Sequence, residues 1–219
     1  MRKTTLSLSI PIIIVITLFA NSCTKKVTPV PTYNFTDEFK SYCLFQPGSS
    51  WDYYKSDLED TVTVNVDELI DYVWYNNVDE IYYYEAYNMV FSSNSLGYKV
   101  LEITAGSTKD AINPMNSLMR IFFDNGDYRL VFDAKYPLGE EQIVGQQEGV
   151  YENVEILPSM KLHGNSYSDV YHTRVTDFYN QGFGDFDFYI AKNHGLIKMR
   201  NIVNNDTIVT ELINSNPIQ

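Results

Sequence analysis

Residues 61–66, Thr-Val-Thr-Val-Asn-Val, alternate strictly, with Val62, Val64 and Val66 on one side. That period of two is the mark of a half-buried strand. Residues 81–92 are dense in tyrosine, with Phe91, Ile81 and Val90, a composition suited to a pleated surface. Residues 98–104 form a further short run. Residues 118–123 and 128–132 flank Asp124-Asn125-Gly126-Asp127, which predicts a hairpin with a type I′ turn at Asn125-Gly126. The C-terminal third reads as strands over 167–179, 186–190, 196–203 and 207–213. Turns are signalled between them by Gly182 and Gly184, by Lys192-Asn193-His194-Gly195 and by Asn204-Asn205-Asp206. Such short connections force antiparallel neighbours. Helix signals are weak: 67–74 reads equally well as a strand, and 108–118 is interrupted by Pro114. The pattern predicts an all-β, mainly antiparallel meander (a curved sheet, sandwich or open barrel) with few or no short helices.

The N-terminus follows a different rule. Arg2 and Lys3 precede an almost wholly apolar stretch from Leu6 to Ala20, shorter than the roughly 20 residues a spanning helix needs. This is the layout of a secretory signal peptide, against which stand a buried helix or an uncleaved anchor. Leu18-Phe19-Ala20-Asn21-Ser22-Cys23 resembles a bacterial lipobox, with Ala20 where leucine is usual, and the ending Ser-Cys-Thr-Lys-Lys is similar to the relaxed lipoboxes of Bacteroidetes. The resemblance implies cleavage after Ser22 and fatty acylation, palmitate-like, of Cys23. Residues 23–36 then read as a lipidated cysteine and extended tether, and 37–219 as a single β-rich domain. A Cys23–Cys43 disulfide is the competing fate of the two cysteines in an oxidising compartment. Cys43 lies in an apolar run and reads as a small hydrophobe.

Composition narrows the partners. The 219 residues carry 28 acidic against 16 basic side chains, a net charge of −12. A phosphate backbone needs a basic footprint, so nucleic acid is not an expected partner. Loss of residues 1–22 removes Arg2 and Lys3 and no acid, taking the charge to −14. An anionic membrane surface would repel such a domain, while Lys25 and Lys26 would each be attracted by about 1 kcal/mol. The expected picture is a domain standing off the membrane on its tether.

Candidate chemistry is sparse. No Gly-x-Ser-x-Gly elbow, no phosphate-binding glycine loop and no His-Glu-x-x-His spacing occurs. His163, His172 and His194 read as structural, and neither a metal site nor a cofactor is expected. Asp124/Asp127, Asp185/Asp187 and Glu140/Glu141 are paired carboxylates, but a glycosidase needs its pair across a cleft. Asp124 and Asp127 should face each other across the hairpin end, where calcium would relieve their repulsion but would lack ligands. Tyrosine (18), phenylalanine (12) and two tryptophans make up 15% of the chain. Such rings suit sugars and protein partners, although strand aromatics serve mostly as core and cross-strand pairs.

Asp60-Thr61-Val62 and Asp206-Thr207-Ile208 resemble the Asp-Ser/Thr-aliphatic acceptor of Bacteroidetes O-glycosylation, which would make Thr61 and Thr207 modification sites; each also reads as a turn aspartate leading into a strand. Three longer segments, 45–53 (FQPGSSWDY), 162–171 (LHGNSYSDVY) and 189–198 (YIAKNHGLIK), are similar to signatures of β-rich envelope lipoproteins of Bacteroidetes. The resemblance implies a scaffold and no catalytic residue. The expected function is a non-catalytic envelope lipoprotein with a binding or assembly role towards protein or glycan, held to the membrane by its lipid. The alternative is a hydrolase of envelope polysaccharide or peptide. By resemblance to bacterial lipoprotein sorting signals, Thr24 after Cys23, where an aspartate would retain the protein at the inner membrane, implies the outer membrane, and the basic Lys25-Lys26, where surface-exported Bacteroidetes lipoproteins tend to be acidic, implies its periplasmic side rather than the cell surface. Metabolic labelling with a clickable fatty acid should mark the wild-type chain and leave Cys23→Ala unlabelled; equal labelling of both would refute the anchor.

Overall fold

The fold was analysed in a computed structural model that describes residues 29–76, 82–92, 96–106, 117–145, 149–178, 182–203 and 206–219. Helix candidate 108–118 lies mostly outside these residues, and Cys23 wholly so. Among the described residues, thirteen strands and one helix follow the chain. They are β1 (Thr32–Tyr33), α1 (Asp37–Cys43), β2 (Ser50–Lys55), β3 (Asp60–Asn76), β4 (Tyr82–Phe91), β5 (Tyr98–Thr104), β6 (Leu118–Phe123), β7 (Tyr128–Asp133), β8 (Glu141–Gly145), β9 (Gly149–Leu162), β10 (Asn165–Thr176), β11 (Asp185–Ala191), β12 (Gly195–Val203) and β13 (Asp206–Asn216). The expected all-β class and the C-terminal meander are both present. The ambiguous 67–74 is strand, the second half of β3.

Twelve strands form one antiparallel sheet in the order β7-β6-β5-β4-β3-β2-β13-β12-β11-β10-β9-β8. Each pairs with its neighbour in sequence except at β2–β13, where Tyr53 lies opposite Leu212 and Trp51 opposite Ser215. That pairing joins two six-strand meanders end to end and curls them into a nearly closed barrel. β1 lies outside this path and pairs in parallel with the start of β4, Thr32 opposite Tyr83. Residues 31–36, read as the end of a tether, therefore belong to the domain.

The edge strands β7 and β8 come from the middle of the chain, and buried polar side chains of β9 and β10 bond the backbone of β7 and of the turn after it. The Thr173 hydroxyl donates to the Val131 carbonyl at 2.6 Å. The Tyr151 hydroxyl accepts from the Asp133 amide at 2.9 Å and itself donates to Asn153 Oδ1. Asn153 Nδ2 donates to the carbonyls of Asp133 and Tyr136, at 2.7 and 2.8 Å. Thr173, Tyr151 and Asn153 are fully buried, where an unmade hydrogen bond would be costly.

A barrel of twelve strands is wider than one that strand side chains alone can fill. The helix supplies the difference. Thr36 caps α1, its Oγ1 accepting from the Phe39 amide at 3.1 Å, with Asp37 and Glu38 in the first turn. Phe39 stacks on Phe132 of β7, Tyr42 meets Tyr171 of β10 edge-on, and the Ser41 carbonyl accepts from the Asn193 amide before β12. Lys40 pairs with Glu85 of β4 at 2.9 Å. The helix thus spans one end of the barrel, and the void left behind it is only about 30 Å³.

The three segments similar to lipoprotein signatures converge beside this helix. Trp51 Nε1 donates to the His194 carbonyl at 2.8 Å, and the Tyr53 hydroxyl to the Leu196 carbonyl at 2.7 Å. Phe45 meets Trp51 edge-on, and Tyr167 meets His194 likewise. Gly195, at φ +75°, is forced twice over, because a Cβ there would sit 2.9 Å from Phe45 Cε2.

Burial pushes His194 below its ordinary pKa. The unfolded chain therefore takes up a proton near pH 6.5 while the folded one resists it. Stability from this site should be complete above about pH 6.5 and decline as pH falls from there towards the folded value. Denaturant melts between about pH 5 and 8 should show that slope. His194→Gln should flatten it.

Candidate functional site

The strands run up and down, so their connections gather at two ends. The helix end carries α1, β1 and the β3–β4, β9–β10 and β11–β12 connections. The opposite end carries the β2–β3, β4–β5, β6–β7, β10–β11 and β12–β13 connections. At this second end a recess of about 280 Å³ opens between two walls. One wall is Gly97 and the β6–β7 hairpin; the other is Phe183, Phe186 of β11 and Asn201 of β12. Phe123 and Phe186 meet across its floor, centroids 5.8 Å apart.

Arg129 is the least expected member. Its strand neighbours Leu130, Val131 and Phe132 are apolar, yet its own side chain is only 1% exposed. The guanidinium lies 3.3 Å from the centre of the Phe183 ring and 5.8 Å from that of Phe123. Its Nη1 donates to the Tyr128 carbonyl, and Nη2 lies 4.0 Å from Asp127. A buried cation needs such company, since desolvation without it is prohibitive.

The hairpin differs in detail from its expected form. The Gly126 amide donates to the Phe123 carbonyl at 3.0 Å, and the Phe123 amide to the Asp127 carbonyl at 2.8 Å. Gly126, at φ +90°, has a positive φ and Asn125 does not, so this is a three-residue loop rather than a type I′ turn. The Asn125 side chain explains the choice: its Oδ1 accepts from the Asp127 amide and its Nδ2 donates to Asp127 Oδ2. Asp124 and Asp127 do not oppose each other unrelieved. Asp124 lies 3.4 Å from Lys99, and Asp127 is held by Asn125. Across the recess, the Asn201 side-chain oxygen is shielded from water without a hydrogen-bond partner.

A second polar cluster lies on the face of β10–β12 away from Phe186 and Phe188. Buried Asp187 accepts from Arg174 Nε at 2.9 Å and Arg200 Nη1 at 3.2 Å, and lies 3.0 Å from His172 Nε2. His172 stacks on Tyr189 and approaches Glu155 at 3.4 Å. Burial by itself would raise the Asp187 pKa; hydrogen bonds from His172 and Arg174, with their charges, bring it below the usual carboxylate range. Glu85 behaves alike, lowered against its burial by bonds from Tyr87, Lys40 and the Phe35 amide. Both are displaced towards the ionised form, the reverse of what a general acid requires.

Thr61 and Thr207 are both exposed, near the β2–β3 and β12–β13 connections, and so share the end that carries the recess. Cys43 is buried in α1, its thiol donating to the Phe39 carbonyl at 3.2 Å and its pKa raised by burial, in keeping with a small hydrophobe. Among the described residues no three His, Cys, Asp or Glu side chains are placed to hold a metal, and no helix is long and apolar enough to cross a membrane. Sequence reasoning did not find Arg129, Phe183 or Asn201; the one available signal was a lone arginine before the apolar run 130–132. Comparison with protein-family models, curated proteins and solved structures found no match.

Gly126→Val should destabilise the domain by roughly 1–3 kcal/mol, since a β-branched residue is forced to positive φ. No atom lies within 4 Å of the added Cβ, so the cost is one of backbone strain. Denaturant melts measure it, and a loss below a few tenths of a kcal/mol would contradict the turn geometry.

Proposed function

We propose that this chain is a lipid-anchored, non-catalytic binding protein of the outer membrane, facing the periplasm, and that its ligand is the end of a glycan held in the recess. The observation that carries the reading is the composition of that recess. Phe123, Phe183 and Phe186 offer apolar faces, while Asp124, Asp127 and the Asn125 and Asn201 amides offer hydrogen-bonding groups around them. A sugar presents the complement, an apolar C–H face ringed by hydroxyl donors. The recess is at the small end of the range for ligand pockets, suited to one or two sugar units rather than a long chain.

The similarity to envelope lipoproteins of Bacteroidetes supports the setting, and the acidic domain with its short basic leader supports the side of the membrane. Thr61 and Thr207, as O-glycan acceptors, would dress the rim of the same end.

The test is a panel of envelope-type oligosaccharides presented to the intact chain in detergent. Binding is expected, with Phe183→Ala and Asp127→Asn each weakening it about tenfold, the loss of one stacking contact or one hydrogen bond. No retention of any glycan, or equal retention by both variants, would reject this ligand class.

A further inference from the structure

At the helix end, the β3–β4 arm carries apolar side chains that the described residues leave exposed. Val73 is 64% exposed, Trp74 47%, Tyr75 48% and Tyr83 39%. Tyr75 and Tyr83 are directly paired, with ring centroids 5.0 Å apart. Trp74 lies on the opposite face, edge-on to Tyr72. Both faces of the arm are therefore aromatic. β3 pairs with β2 only over Asp60–Asn65, so from Glu68 onward it has no strand on the side away from β4. By contrast Trp51, the other tryptophan, is 4% exposed in the core.

The path of the chain says what lies against this arm. The Tyr83 amide donates to the Pro31 carbonyl at 2.9 Å, and β1 runs parallel to β4 from there. The chain thus joins the domain level with Tyr83, one residue from the β3–β4 connection. From Cys23 to Pro31 there are eight Cα steps, which reach at most about 29 Å when fully extended. β4 alone carries the sheet about 30 Å from this end towards the recess. A lipid on Cys23 would therefore hold the bilayer within that reach of the arm, which lies where the chain enters the domain.

We infer that the β3–β4 arm docks through Val73, Trp74, Tyr75 and Tyr83 into the interfacial layer of the membrane that holds the lipidated N-terminus. This rests on the lipid-anchor reading and extends it: the domain sits on the bilayer by one end instead of hanging free. Tryptophan and tyrosine favour the head-group region, where an apolar ring and a polar tip are both satisfied. The unpaired edge of β3 sets the depth, since bare amides and carbonyls remain hydrated at the interface and would be unsatisfied in hydrocarbon. Asp71 on the arm is acidic, whereas Lys40 at this end is already paired with Glu85. The matching surface is zwitterionic lipid.

The acylated full-length chain, reconstituted into phosphatidylcholine–phosphatidylethanolamine vesicles, tests this through tryptophan emission. Lipids brominated near the head group should quench the wild type more than lipids brominated near the chain end. Trp74→Phe should abolish that quenching, because Trp51 is sealed in the core. Replacing zwitterionic by anionic lipid should reduce it. A chain that floats with the vesicles but is not quenched retains its anchor and overturns the docking. A chain that carries no acyl group and does not float overturns the anchor, and the docking with it. Shielding of Trp74 that needs another envelope protein, and does not occur on lipid alone, also overturns it in favour of a protein partner.

Discussion

A sheet of twelve strands has to dispose of two edges, and the way this chain does so governs the rest of its structure. Pairing β2 with β13 makes the two ends of the domain neighbours and moves the free edges to its middle, at β7 and β8. Among the described residues no ladder closes that gap. Thr173, Tyr151 and Asn153 close it by bonding the backbone of β7 and of the turn after it. In a dry interior these bonds are an all-or-none arrangement: losing one side chain leaves its partner carbonyl or amide unsatisfied. Closure brings β6–β7 opposite β11–β12, and only then does the recess have two walls.

Once curled, the barrel needs filling at one end and is left open at the other. The filling is α1, pinned by Lys40–Glu85 and by the meeting of Phe45, Trp51, Tyr167 and His194. Segments far apart in the chain thus form one packing centre. The open end has the rings, amides and carboxylates. β1 enters the sheet at the helix end, beside Tyr83 and Tyr84, and the recess lies at the other end.

The strands at 98–104, 118–123 and 128–133 were legible because period and composition agree there, and β-branched and aromatic residues tolerate little else. β9 was not. Pro158 argues against a strand, and it is tolerated because β8 pairs only with the first part of β9, which leaves that edge without a partner to lose. The helix escaped notice because seven residues give barely two turns, too few for a periodic signal, although Thr36-Asp37-Glu38 is a legible cap.

By itself, the sequence determined the all-β class, the order of most strands, the hairpin at 124–127, the burial of Cys43 and the signal-like N-terminus. Each rests on neighbours within a few residues, where side-chain period and turn chemistry act. Only the tertiary structure decided that β13 meets β2, that Arg129 lies buried against Phe183, that Asn201 and Asp127 line one recess, and that Trp74 is exposed while Trp51 is not. Those outcomes depend on which strands a curled sheet brings face to face, and no local pattern encodes a contact made across a barrel.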